Sequence, residues 1–185
     1  DASFGYGEVL YTGRIDTKVL LETYQKYLTK NDQFTQQNFD FNLVVIHENF
    51  VEYGNFKAKN LVFATGFGIK DNPYFSYLPL NGTKGELLTI KAPELKEERV
   101  IKSSVFIIPL GNDLYRVGAT YKWKDKTNEP TQESRDELLE KLDTFLKCDY
   151  EVVDHVAGIR PTVADRRPLV GQHPNHKNLF ILNGF

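Results

Sequence analysis

The chain has 185 residues, a formal net charge of −2 and an isoelectric point near 6.1. This length suits a domain with a core of its own, and the slightly acidic balance argues against a nucleic-acid partner. One cysteine, Cys148, excludes an internal disulfide and a multi-cysteine metal site, and it fits a reducing compartment. No apolar run reaches the roughly 18 residues of a membrane span, and no secretory signal pattern is found. We therefore expect a cytoplasmic protein without a membrane span.

The N-terminal part predicts a strand followed by a helix. The run "GEVLYTGRID" (residues 7–16) has strand character, and Asp16 or Thr17 can cap a helix that begins directly after it. The apolar face of this helix would consist of Leu20, Tyr24, Tyr27 and Leu28. The segment "FGYGEV" (residues 4–9) lacks the third glycine and the helix of a dinucleotide-binding fingerprint. The chain therefore has no such fingerprint of its own.

Short β-type runs follow in the middle of the chain. "FNLVVI" (residues 41–46) and "NLVFATG" (residues 60–66) predict buried strands. The second run ends at Gly66, where the backbone can turn tightly or approach a ligand.

Three further runs predict strands over residues 84–90, 103–110 and 113–123, and the last two would be joined by a hairpin turn at Gly111 and Asn112.

The C-terminal part predicts one helix and two closing strands. Ser134 and Glu137 fit a capping box. The apolar face of the helix would consist of Leu138, Leu142, Phe145 and Leu146. Closing strands are expected over residues 150–161 and 178–185. Runs of strands with only two convincing helices predict an α+β fold with a mainly antiparallel, mixed β-sheet and helices packed on one face.

Two clusters of ionisable residues have structural interpretations. His173 and His176 have a spacing that could seat a metal ion, but a proline lies between them and no carboxylate is near, so we expect a surface loop and no metal site. The alternating Lys122, Lys124 and Lys126 predict a solvated strand edge.

The most informative segment is "AGIRPTVADRRPLVGQHP" (residues 157–174). It places Arg160 at the end of an apolar strand, directly before a proline that ends regular pairing. An arginine in this position needs an anionic partner, because unpaired guanidinium donors are costly away from water. Two partners remain open: a substrate carboxylate, or an internal salt bridge with Asp165 or another acid.

Together these segments resemble the D-amino acid oxidase, glycine oxidase and sarcosine oxidase family of FAD-dependent oxidoreductases. The similar elements follow the family order and cover nearly all of residues 8–185. The most specific is the Gly-x-Arg-Pro strand with Asp165, Pro168 and Gly171 downstream. The "KGE" strand, the proline-containing hairpin that ends in Gly-Ala-Thr and the final "NLFILNGF" are looser matches.

The resemblance implies a substrate-binding role for three residues. Arg160 matches the family arginine that binds the carboxylate of the substrate. Phe106 stands where glycine oxidase has an active-site tyrosine, and Tyr121 stands where it has an apolar contact. Because Phe106 lacks a hydroxyl, glycine itself is in doubt as the substrate, which leaves room for a bulkier or N-alkylated amine. The resemblance implies no general base.

The resemblance also implies FAD as the cofactor. Gly66, Asn183 and Gly184 match the approach to the flavin. Residues 1–185 would form the substrate domain, with short segments, about 41–68 and 166–185, that belong to an FAD-binding half outside this chain. The sequence has no methionine and stops directly after an apolar run, so we expect an excised piece that is inactive and does not retain FAD by itself.

The implied activity of the parent is oxidation of the C–N bond of an amino acid or related amine by hydride transfer to flavin. Its partners would be that small substrate and the missing FAD-binding domain. One alternative is a tRNA-modifying or heterodisulfide-type flavoprotein that reuses this domain. Another is a non-catalytic α+β module that uses Arg160 to hold a carboxylate or a peptide.

Overall fold

The computed structural model describes residues 5–185, so the first four residues of the expected substrate domain, including Phe4 of the "FGYGEV" segment, lie outside the described part. The chain divides into two compact units, one up to Asp40 and one over Phe41–Phe185. Its architecture is α+β with mostly antiparallel sheets, which confirms the predicted fold class. Among residues 5–185, no helix is both long and apolar enough to cross a membrane.

The first unit contains helix α1, Thr17–Lys30. The Asp16 carboxylate accepts hydrogen bonds from the backbone N–H groups of Lys18 (3.0 Å) and Val19 (3.1 Å), so the predicted cap is confirmed. The predicted strand over residues 7–16 is wrong, because the first strand in the described part of the chain begins only at Val44. The helix buries none of its side chains.

The second unit begins with a 3₁₀ turn at Phe41–Leu43, where the sequence predicted a strand, and has a second 3₁₀ helix at Gly66–Asp71. Its α-helix is α2, Gln132–Asp143. The strands are β1 (Val44–Ile46), β2 (Val51–Tyr53), β3 (Phe56–Ala58), β4 (Leu61–Phe63), β5 (Thr83–Lys91), β6 (Ile101–Lys102), β7 (Phe106–Gly111), β8 (Leu114–Gly118), β9 (Glu151–Arg160), β10 (Leu169–Gln172) and β11 (Leu179–Asn183).

These strands form three sheets. The largest has the order β6-β7-β8-β5-β9 with every neighbouring pair antiparallel. A second sheet has the order β10-β11-β4, in which β11 runs parallel to β4. The third is the antiparallel sheet β1-β2-β3. The two small sheets share a second core, which is separate from the core under the large sheet.

The two faces of the five-stranded sheet differ, because successive side chains of a strand point to opposite faces. Leu88 and Ile90 of β5 belong to one face and pack with Leu138 and Leu142 of α2 in the core. Leu138 and Leu142 of the predicted apolar face are therefore confirmed, whereas Phe145 and Leu146 follow the end of the helix at Asp143 and pack, partly buried, against the same core. Within this unit, α2 covers only that face of the sheet and leaves the other face free of a helix.

The hairpin between β7 and β8 turns one residue later than predicted. Gly111 pairs with Leu114, so the turn residues are Asn112 (φ 53°) and Asp113 (φ 60°). Positive φ at both central positions is typical of a type I′ hairpin turn, and Asn and Asp tolerate that conformation better than most residues.

Helix α2 begins earlier than predicted, with Thr131 as its cap. The Thr131 hydroxyl oxygen accepts a hydrogen bond from Ser134 N (3.3 Å), and Ser134 is buried inside the first turn. Thr131 also donates to Glu86 from its backbone N (2.8 Å) and from its hydroxyl (2.9 Å). The buried Glu86 carboxylate thus selects the start of the helix, which explains why the capping box at Ser134 is wrong.

The predicted lysine edge is also wrong, because the chain after β8 pairs with β5 only as far as Lys122 and then folds into a loop. Lys122 forms ion pairs with Glu133 (2.7 Å) and Glu137 (3.2 Å) of α2. Lys126 donates to the backbone carbonyls of Gly82 and Trp123, each at 2.6 Å. At least two of the three lysines therefore hold the loop in place.

A fully buried lysine fastens this loop to the sheet. Lys84 of β5 donates to the carboxylate of Asp125, the hydroxyl of Thr127 (3.1 Å) and the carbonyl of Glu129. Burial lowers the pKa of Lys84, but the hydrogen bond to Asp125 and the charges of Glu86 and Asp125 outweigh it, so the pKa is raised. The hydrogen bond from Lys84 lowers the pKa of Asp125 to about 2.

We expect Lys84→Met to destabilise the chain by about 3–5 kcal/mol, since it leaves the carboxylates around Lys84 without their buried cation. Urea unfolding followed by circular dichroism measures the change. Lys91→Met, on the exposed end of the same strand, is the matched control and should stay within about 0.5 kcal/mol of wild type. Equal unfolding free energies for the two variants would show that the buried ammonium contributes nothing.

Candidate functional site

A cleft of about 240 Å³ opens on the face of the five-stranded sheet that α2 leaves free. Residues of β5, of β9 and of the segment after β8 line it. They are Thr83, Lys84, Gly85, Leu87, Ala119, Thr120, Tyr121, Val156, Ala157, Gly158 and Arg160. A larger depression follows the exposed surface of α1, but it is an open groove along one helix and brings no distant residues together.

Two glycines form the floor of the cleft. Gly85 of β5 pairs with Gly158 of β9, so two residues without side chains lie next to each other. A Cβ atom added at Gly158 would meet no atom within 4 Å, which shows that the space above it is open. Glycine inside a strand is typical of a place where another group approaches the backbone closely. Leu87 and Val156, which pair two residues further along, form an apolar wall.

Tyr121 reaches the cleft because the chain after β8 keeps pairing with β5. Lys122 and Lys84 exchange two backbone hydrogen bonds of 2.9 Å, and Thr120 N donates to the carbonyl of Glu86 at 3.3 Å. Tyr121 lies between these pairs and so stands across from Gly85. Its side chain is half exposed at the mouth of the cleft.

Arg160 lies at the end of β9, opposite Thr83, with its guanidinium at the edge of the cleft. Its Nη1 donates a hydrogen bond of 2.7 Å to the hydroxyl oxygen of Tyr121, and Cζ lies 5.3 Å from the centre of the Tyr121 ring. No ion pair within residues 5–185 involves Arg160. Asp165, the expected partner, accepts a hydrogen bond from the backbone of Arg167 instead (3.0 Å). The internal salt bridge with Asp165 is therefore not formed.

Phe106 shares this face of the sheet but does not line the cleft. It pairs with Gly118, which in turn pairs with Leu87. Residues directly opposite each other in an antiparallel pair share a face. Phe106 therefore extends the apolar wall on the far side of Gly118. The structure thus brings Arg160 and Tyr121 into direct contact and places Phe106 on the same face, further along.

The three residues predicted to approach a cofactor lie together at the ends of the parallel strands β4 and β11. Asn183 is buried, and its side-chain amide donates to the carbonyl of Gly66 (2.9 Å), while its side-chain oxygen accepts from Gly184 N (2.8 Å). Gly66 has φ 57°, and a Cβ added there would meet nothing within 4 Å. Its backbone is therefore open to a ligand, at the carboxyl edge of parallel strands where ligands commonly bind.

A buried acid–base pair behind the cleft was not predicted. Glu86 lies on the α2 face of β5, with Oε2 at 2.9 Å from Nε2 of His155 on β9. Burial raises the pKa of Glu86, but the hydrogen bonds from Thr131 and the charge of Lys84 outweigh it, so the pKa is lowered. The signal in the sequence was the alternation Lys-Gly-Glu, which puts two charges on one face of a strand and a glycine on the other.

His173 and His176 lie next to each other. Their ring centres are 4.7 Å apart, and His173 packs edge-on against Phe75 (5.3 Å). Burial and the charge of His176 lower the pKa of His173. No group of three or more potential metal ligands occurs within the described range, residues 5–185.

Comparison with known proteins identifies the class. The family model of FAD dependent oxidoreductases (DAO) matches residues 32–185, which is most of the chain. The chain belongs to this family of FAD-dependent oxidoreductases.

Curated relatives are about a quarter identical to the chain over the aligned residues. Glycine oxidase of Bacillus subtilis is 26% identical over 138 residues, which are 71% of this chain and 37% of that enzyme. A tRNA 5-methylaminomethyl-2-thiouridine biosynthesis bifunctional protein, MnmC, of Campylobacter jejuni subsp. doylei is 26% identical over 113 residues, 60% of this chain and 18% of that protein. The chain thus spans well under half the length of these relatives.

Solved structures show the same fold. Iminodiacetate oxidase from Chelativorans sp. superposes with a TM-score of 0.73 at 18% identity, over 93% of this chain and 50% of that one. Glycine oxidase from Bacillus cereus superposes with a TM-score of 0.63 at 24% identity, over 76% of this chain and 42% of that one.

We expect Gly118→Ala to destabilise the chain by about 1–3 kcal/mol, because the new Cβ would lie 2.2 Å from Leu87 Cδ2 and 3.0 Å from Phe106 Cζ. Gly158→Ala is the control on the same face; its Cβ enters open space, so the change should be neutral or stabilise by up to about 1 kcal/mol. Thermal and urea unfolding measure both. A Gly118→Ala variant as stable as Gly158→Ala would contradict the close packing of the wall.

Proposed function

We propose that the chain supplies the substrate-binding half of an enzyme that oxidises the C–N bond of an amino acid or related amine, with Arg160 binding the substrate carboxylate. The main support for the proposal is that the Arg160 guanidinium has no ion pair among the described residues and lies at the edge of a cleft with a glycine floor. A planar guanidinium binds a carboxylate at two points and so fixes orientation as well as position.

Other residues of the cleft would orient and enclose the reacting end of the substrate. Gly85 and Gly158 leave space for the substrate to lie directly on the sheet. Leu87, Val156 and Phe106 form an apolar wall that would keep water away from the Cα atom. The wall carries no hydroxyl at Phe106, which favours a bulkier or N-alkylated amine over glycine. Orientation is the contribution required of the protein, and no general base is assigned.

The family cofactor, FAD, fits the edge formed by Gly66, Asn183 and Gly184. The open backbone at Gly66 allows close approach, and Asn183 fixes that backbone from the next strand. Bound FAD would supply the acceptor for the hydride equivalent of the Cα–H bond, and water would hydrolyse the resulting imine. Within residues 5–185 no glycine-rich loop leads into a helix N-terminus, so the pyrophosphate would be held by another part of the full-length enzyme.

We further propose that residues 41–68 and 166–185 belong structurally to that FAD-binding half, with the remainder forming the substrate domain. They build the two small sheets, which share their own core. One face of the β10-β11-β4 sheet is apolar and exposed at Val62, Val170 and Leu182. An exposed apolar sheet face is typical of a surface that another element covers.

The second candidate is an enzyme that acts on a modified tRNA base. It is favoured by the relatives named for tRNA 5-methylaminomethyl-2-thiouridine biosynthesis. The chain itself offers little for a nucleic-acid backbone, because its net charge is −2 and Lys122 and Lys126 already bind internal partners. The full-length enzyme can be incubated with tRNA from cells that lack this enzyme and, separately, with a panel of free amino acids. This separates the two candidates, since only one substrate class should reduce the flavin.

We expect Arg160→Ala in the full-length enzyme to lower kcat/KM for carboxylate substrates by roughly thirty-fold to several thousand-fold, the range for removing one partner of a desolvated charge pair. Arg160→Lys should fall between wild type and Ala, because it keeps the charge but loses the two-point geometry. Steady-state kinetics measure both.

The matched control is Arg116→Ala, which removes an arginine from the same sheet face but outside the cleft. It should leave kcat/KM within a few-fold of wild type. Equal losses for Arg116→Ala and Arg160→Ala, or an Arg160→Ala enzyme that is folded and fully active, would refute the assignment of the carboxylate anchor.

A further inference from the structure

The chain has a single tryptophan, Trp123, and it stands next to the cleft. Trp123 is 54% exposed and Tyr121 is 50% exposed. Their ring centres are 6.1 Å apart with planes at 62°, an edge-to-face pair. Tyr121 in turn contacts Arg160. A continuous line of side chains therefore leads from the guanidinium outward over two aromatic rings.

These exposed rings are carried by a fixed backbone. Lys126 Nζ donates to the carbonyl of Trp123 and to that of Gly82, each at 2.6 Å. The buried Lys84 ammonium holds the following residues, Asp125 and Thr127. Because the backbone of the loop is already fixed, a ligand that binds to these two exposed rings would not have to order the loop. Pre-organised aromatic residues of this kind are typical of ligand contacts.

The charges around the two rings favour a neutral aromatic occupant. Lys122 is paired with Glu133 and Glu137, and Lys126 is bound to backbone carbonyls. Lys124 is exposed but does not line the cleft, whereas the Arg160 guanidinium lies at its edge and remains to receive an anion. A ligand that satisfies this arrangement carries one carboxylate and a planar apolar group next to it, whereas a nucleic-acid backbone would need several free cations.

We propose that Tyr121 and Trp123 form an aromatic subsite for a planar aromatic or heteroaromatic group on the amine nitrogen of the substrate. The position of this group relative to Arg160 rests on the proposed function, in which Arg160 binds the carboxylate. The subsite selects among substrates by the size and planarity of the nitrogen substituent.

The fluorescence of Trp123 reports directly on the subsite in the 185-residue chain, without turnover. N-benzylglycine and N-methylglycine share the carboxylate and the amine but differ in the aromatic ring. We expect N-benzylglycine to change the Trp123 fluorescence and to bind about tenfold more tightly, the size of one good aromatic contact. Calorimetry extends the comparison to variants without the tryptophan.

Trp123→Ala should abolish the tenfold preference and leave the affinity for N-methylglycine unchanged. Trp123→Phe should keep most of the preference, because it retains a ring. Phe56→Ala removes an equally exposed aromatic residue from the small β1-β2-β3 sheet and should change neither affinity.

Equal affinities for the two ligands, an unchanged Trp123 signal, or a signal that appears only with tRNA would each overturn the aromatic subsite. Arg160→Ala separates this proposal from the function on which it rests. If Arg160→Ala weakens neither ligand while Trp123→Ala still removes the preference, the carboxylate anchor fails and the aromatic subsite stands.

Discussion

The buried ammonium of Lys84 is the constraint on which the rest of the unit depends. Strand β5 lies inside the five-stranded sheet between β8 and β9, and its Lys84 and Glu86 point toward the α2 side. Lys84 holds the loop after β8 through Asp125, while Glu86 binds Thr131, the cap of α2. Burying these charges is costly unless each is paired. The pairing therefore determines where the loop runs and where the helix begins.

The same strand creates the cleft on its opposite face. Because side chains alternate, Gly85 lies between the two buried charges but faces the other way, next to Gly158. Three consecutive residues, Lys84, Gly85 and Glu86, thus place two anchoring charges on one face of the strand and the open floor of the cleft on the other. This division explains how the chain keeps a site open to ligand while its supporting residues stay out of the chemistry. The placement of Tyr121 against Arg160 follows from the loop that Lys84 holds.

The fold could be predicted from the sequence wherever a pattern was long and regular. The β-type runs over residues 84–90 and 150–161 and the apolar face of α2 predicted the presence and type of these main elements correctly. Predictions for irregular segments failed: residues 7–16 have strand-forming side chains but form no strand in the described part of the chain. The predicted start of α2 was wrong because a tertiary contact, the hydrogen bond from Thr131 to Glu86, determines where this helix begins. The contact between Arg160 and Tyr121 could not be predicted, because it joins residues 39 positions apart through a loop.

The central claim is that this cleft selects its substrate through a carboxylate held next to the flavin. Anaerobic stopped-flow reduction of the flavin in the full-length enzyme tests it directly, with N-methylglycine and dimethylamine as a pair that differs only in the carboxylate. We predict that N-methylglycine reduces the flavin faster by roughly thirty-fold or more at equal subsaturating concentration, the smallest factor expected for a desolvated charge pair. Equal reduction rates for the two amines would contradict the account.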